Sequence, residues 1–90
     1  MTDALPALRS LFIERCRKDL SELDRLHSEA DAQEMGVIIH RLAGAAGSFG
    51  FPELSECALA VDQHLRDGHE ATRQEFDELR QLLRHVQDQA

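Results

Sequence analysis

Ninety residues suffice for one domain with a single modest core, and with four Phe and no Trp or Tyr that core must come mostly from Leu, Ile, Val and Ala. A formal net charge of −7, 17 acidic against 10 basic residues, argues against a nucleic-acid partner, which needs clustered Lys and Arg, and against an anionic membrane surface. No apolar run approaches the roughly 20 residues that span a bilayer, and the opening MTDALPALRS lacks the basic start and apolar stretch of a secretory signal, so a cytoplasmic protein is expected. The two cysteines, Cys16 and Cys57, fall on apolar helical rows and fit that compartment as small buried hydrophobes.

Apolar periodicity and end signals predict four helices. The first runs from about Ala4 to Glu29, with Asp3 as cap, Pro6 in the first turn, and Leu5, Leu8, Phe12, Cys16, Leu23, Leu26 and Ala30 stepping by three or four. The second starts near Asp31, which can accept early backbone N–H groups while Glu34 reaches back as in a capping box, and ends near Gly50. Pro52 suits the first turn of the third, whose inner row is Leu54, Cys57, Ala58, Val61 and Leu65 and whose stop is Asp67-Gly68. Thr72 with Glu75 caps the fourth, which buries Phe76, Leu79, Leu83 and Val86. There is no strand alternation and no internal repeat, and the short connections make neighbouring helices antiparallel. The expected fold is all-α, an antiparallel up-down-up-down four-helix bundle spanning residues 1–90 as one domain.

The stretch IIHRLAGAAGSFGFPEL concentrates weak helix formers after one histidine. At about 100° per residue, Ile38, Leu42, Ala45 and Phe49 lie roughly opposite His40 and form the expected buried face, while Gly36, Ala43, Gly44 and Gly47 fall within about 60° of His40. Each interior Gly costs a helix about 0.5–1 kcal/mol relative to Ala. A glycine row on a core face would be read as close helix packing, but this row is expected on the outer side. A solvated face with an ordinary surface His is the plainer alternative. The sharper one is a surface cleared so that another protein can bring its reactive group to the imidazole. A reference pKa near 6.5 leaves much of an imidazole neutral, with one nitrogen free as a nucleophile. No Ser, Cys or carboxylate stands three or four residues from His40, so no local triad is indicated and the activating groups are expected on the partner.

On these residues the chain resembles the histidine-containing phosphotransfer (HPt) family of multistep two-component phosphorelays. His40, Leu42, Gly44, Gly50 and Leu54 stand at the family's recurring positions, with Phe49 at the apolar position before the last Gly, and the helix order, including a third helix ending in HLRDG, extends the likeness over essentially the whole chain. The resemblance implies that His40 takes a phosphoryl group from an aspartyl phosphate on a response-regulator receiver domain and passes it to another receiver. The chain would then be a stoichiometric carrier rather than an enzyme, with no cofactor of its own because the receiver supplies Mg²⁺ and a Lys. Receiver domains, including that of a hybrid histidine kinase, are the implied partners, and a monomer is expected. Gly36, Arg41, Ala43, Gly44, Gly47 and Ser48 are the expected docking residues. Where the family most often has Lys this chain has Ala43, and Arg41, about 100° round the helix from His40, is expected to compensate in part.

Two rival readings remain. A metal-binding bundle would draw on Cys57 and His64, two turns apart, with His27, His69 and His85 scattered on other segments in no recognisable ligand pattern. A pure interaction module would bind a receiver or kinase without carrying phosphate, a reading that Ala43 keeps open.

Overall fold

A computed structural model of the chain describes residues 5–89. Asp3 and Ala4, expected at the start of the first helix, lie outside the described residues. Four helices follow in order, α1 (Leu5–Ser28), α2 (Ala32–Ala45), α3 (Pro52–Arg66) and α4 (Arg73–Gln87), with a 3₁₀ turn (Ala46–Phe49) after α2 and no strand among the described residues. The cross-helix contacts give the directions. Arg9 reaches the Phe49 carbonyl and Asp19 meets Arg41, so α2 runs back along α1. Ser55 meets Ala43 and Asp62 meets His40, which sets α3 antiparallel to α2. α4 returns from the His64–Glu75 contact and closes on α1 through Asp24–Arg80 and His27–Phe76.

Local chemistry accounts for the ends. Asp31 accepts from the Glu34 N–H at 3.2 Å, without the return bond from Glu34, whereas Thr72 and Glu75 form the full reciprocal capping box of α4. Pro52 opens α3. α1 ends with Ala30 at φ 57°, a left-handed position that a Cβ disfavours, and the Asp31 N–H reaches back to the Leu26 carbonyl at 2.9 Å. Gly50 and Gly68 take φ of 88° and 83° at the ends of the 3₁₀ turn and α3, where glycine carries no such penalty.

The core is one cluster in which Leu23, Ile39, Leu42, Leu54, Leu79 and Leu83 are completely or almost completely buried. The inner row expected for α4 is buried throughout. Three expected rows need correction. In α1, Leu5 and Leu8 are 53% and 49% exposed, because α4 has 15 residues to α1's 24 and leaves the first turns uncovered; Ile13 and Asp19 are buried instead. In α3, Cys57 and Leu65 are only partly buried. In α2, Leu42 is buried with Met35, Ile39 and Ala46, while Ile38, Ala45 and Phe49 are half-buried, so the inner face is rolled about 60° from its expected centre.

That roll explains part of the glycine row. A Cβ added at Gly36 would meet Leu65 Cδ1 at 3.8 Å, and one at Gly47, which is exposed in the 3₁₀ turn, would meet Ser55 Oγ at 3.6 Å, so both glycines border α3. Ser55 Oγ donates to the Ala43 carbonyl at 2.9 Å in the α2–α3 seam. Gly44 differs: nothing lies within 4 Å of its added Cβ.

Candidate functional site

His40 stands in the middle of α2, on the edge between solvent and α3, with its side chain 61% exposed. Two side chains of α3, one turn apart, meet it. Asp62, whose side chain is only 8% exposed, places Oδ2 3.1 Å from His40 Nδ1. Arg66 holds the same Oδ2 through Nε at 3.2 Å and brings Nη2 to 2.8 Å from Nδ1 and 3.5 Å from Nε2. α3 can deliver both because residues four apart share a helix face.

Two neighbours converge on Nδ1, and one ring nitrogen can satisfy only one of them. A carboxylate is an acceptor alone, so it favours the tautomer in which Nδ1–H donates to Asp62. Nε2 then carries the lone pair and points away from the carboxylate. The alternative, with Nδ1 accepting from Arg66, would put a lone pair against the Asp62 oxygen. The long, largely exposed Arg66 side chain is free to shift, whereas Asp62 is fixed by its burial.

The remaining expected site residues divide. Gly44, Gly47 and Ser48 are exposed, and Gly44 leaves open space one turn beyond His40. Gly36 and Ala43 belong to the seam with α3, and Gly47 borders it. Arg41 does not stand in for a lysine beside His40. It turns to α1 and forms a two-pronged pair with the buried Asp19, Nη2 to Oδ1 at 2.7 Å and Nη1 to Oδ2 at 3.2 Å. Val37 and Leu59 are 59% and 48% exposed, three residues before His40 and Asp62 respectively, and give the surface around the imidazole an apolar fringe.

No carboxylate stands three or four residues from His40 on α2; the carboxylate that meets the ring, Asp62, comes from the next helix. The signal for it lay in α3, where an acid adjoins the inward-facing Val61. The other histidines make different contacts. His64 Nδ1 lies 2.7 Å from Glu75, and His27 stacks on Phe76 with ring centroids 4.3 Å apart. Among the described residues no three His, Cys, Asp or Glu side chains converge where they could hold a metal ion, so the scattered set gathers no metal centre there.

The family model described as Hpt domain matches residues 7–89. The chain belongs to the Hpt domain family. Membership places it in histidine phosphotransfer of two-component systems, with response-regulator receiver domains as the partners of such domains. Hpt domains are phosphocarriers rather than catalysts, and they are helical bundles, as this chain is. No curated protein and no solved structure matches the chain. No helix among the described residues of this Hpt domain is long and apolar enough to cross a membrane.

Proposed function

We propose that this Hpt domain accepts a phosphoryl group on His40 from the aspartyl phosphate of a receiver domain and hands it to the aspartate of a second receiver. The observation that carries this reading is the imidazole itself: exposed and held at Nδ1 by Asp62, which leaves Nε2 as the nitrogen turned from the carboxylate. A neutral imidazole with a fixed tautomer is a ready nucleophile, because no proton has to leave Nε2 before it attacks. Docking is assigned to the surface around it, with the open space at Gly44 admitting the receiver's loops and Val37 and Leu59 supplying apolar contact. Ser48 extends that surface, and Gly36, Ala43 and Gly47 serve it indirectly by letting α3 approach.

The domain is a stoichiometric carrier in this scheme, working as a cytoplasmic monomer with no cofactor of its own. Mg²⁺ belongs to the receiver, which is either free or part of a hybrid kinase. Ala43 in place of the family's usual Lys favours one competing reading, an interaction module that docks a receiver and retains no phosphate. Incubation with a phosphorylated receiver separates the two. Acid-labile phosphate should appear on the chain and be lost in His40→Gln; a His40→Gln variant that labels as well as the wild type contradicts the assignment.

A further inference from the structure

We infer that this domain associates with copies of itself head to tail, an exposed stripe of leucines and cations on α1 of one copy seating in the groove between α3 and α4 of the next. The inference is independent of phosphotransfer. The uncovered start of α1 supplies the first surface. Leu8 and Leu11 are 49% and 67% exposed, and at about 100° per residue they share a stripe about 80° wide with the exposed Arg15 and Lys18. The segment is basic in an acidic chain: residues 5–18 hold four of the ten Lys and Arg but one of the 17 Asp and Glu. Lys18 makes no ion pair among the described residues, so its ammonium is free for a carboxylate of another chain.

The second surface has the opposite charge. A groove of about 400 Å³ runs between α3 and α4, with Cys57, Ala60, Val61 and Leu82 as its apolar lining. Glu53 and Glu56 of α3 and Glu75 and Glu78 of α4 stand along it. Glu75 is held by Thr72 and His64, whereas Glu53, Glu56 and Glu78 make no ion pair among the described residues. Small lining residues leave room for leucine side chains, and carboxylates on both rims suit a helix that carries cations beside them. The lengths agree: at about 1.5 Å per residue the stripe from Leu8 to Lys18 is about 15 Å long, and α3 from Glu53 to Val61 about 12 Å.

Direction decides the kind of assembly. Asp24, which meets Arg80 of α4, lies about 160° round α1 from the middle of the stripe, so the stripe faces away from the side that holds α4 and the groove. Stripe and groove of one copy therefore engage different copies, and the contact is heterologous, open to a third chain. Two leucines among exposed charges make it weak and reversible. His40, on the α2–α3 edge, belongs to neither surface, so the monomer remains the form that meets a receiver.

Sedimentation equilibrium of the full chain tests this. The weight-average mass should rise above 10.2 kDa between about 10 μM and about 1 mM chain, and rise less in about 0.5 M salt, which screens exposed charges. Leu8→Gln with Leu11→Gln removes the stripe, and Glu56→Lys with Glu78→Lys removes the groove; all four side chains are exposed, so neither pair of changes should alter the melting temperature much. Each variant alone should associate about tenfold more weakly or less. Mixed, they should form a one-to-one pair that grows no further, because it joins the one intact stripe to the one intact groove. Alkylation of Cys57 in the stripe variant, whose groove is then filled, should slow in the mixture. A wild type at 10.2 kDa throughout, a variant that associates like the wild type, a mixture that stays monomeric, or a pair that leaves Cys57 alkylation unchanged overturns the inference.

Discussion

At His40 the chemistry depends on which ring nitrogen is kept free, and that depends on a residue in another helix. Asp62→Asn keeps the size of the side chain but lets an amide N–H donate to Nδ1, which favours the tautomer with its proton on Nε2. Transfer should then fall by about a hundredfold or more, as expected when an orienting carboxylate is replaced by its amide, and ¹⁵N shifts of the imidazole should report the changed tautomer. Arg41 makes the opposite prediction. Arg41→Ala leaves the Asp19 carboxylate, 2% exposed, with Arg15 at 3.4 Å as its remaining cation among the described residues, and should cost about 3 kcal/mol by chemical denaturation. Its transfer rate per folded molecule should be unchanged. His40 was legible in the sequence because an outward position on an amphipathic helix can be counted from its neighbours. Asp62 and Arg41 were not, because their contacts, each spanning 22 residues, depend on how α2 is rolled between α1 and α3.

The same roll separates the glycines at the scale of the helix. Counting at about 100° per residue put them all on one side of α2, and that arithmetic is sound, but it cannot say where the neighbouring helices sit. α3 packs against the small-residue side, so added Cβ atoms at Gly36 and at the exposed Gly47 would meet Leu65 and Ser55, whereas one at Gly44 would meet nothing within 4 Å. Gly44→Gln should therefore stabilise α2 by about 0.5 kcal/mol, since it removes the helix penalty of glycine without meeting a neighbour. It should also weaken receiver docking. A variant that melts earlier yet transfers normally would contradict the docking role. Element ends were more legible than faces, because caps are local: Thr72 with Glu75, Pro52 and the Asp67-Gly68 stop all act where the sequence places them. Three ends depart from the local reading: Ala30 at φ 57° is a left-handed position with no glycine to announce it, Glu34 returns no bond to Asp31, and α2 gives way to a 3₁₀ turn after Ala45.

Over the whole molecule, the bundle type and the inner row of α4 follow from period and composition, while the exposed start of α1 follows from unequal helix lengths that only the packed structure relates. The thiols report on the integrity of that packing. Burial pushes Cys16 up to about 12, with Asp19 adding to the shift, and pushes Cys57 up to about 11. At pH 8 both are overwhelmingly protonated in the folded chain, so a thiol-specific reagent should react slowly, with half-buried Cys57 ahead of Cys16, and much faster once the bundle is unfolded. Equal native rates for the two would contradict the packing around α1. The central claim is that the fold presents one nitrogen of one histidine to an incoming phosphoryl group. Its most direct test is ¹⁵N and ³¹P NMR of the phosphorylated chain. The N–P bond should be found at Nε2 of His40, with Nδ1 still protonated; phosphate at Nδ1, or on His27, His64, His69 or His85, would contradict the account.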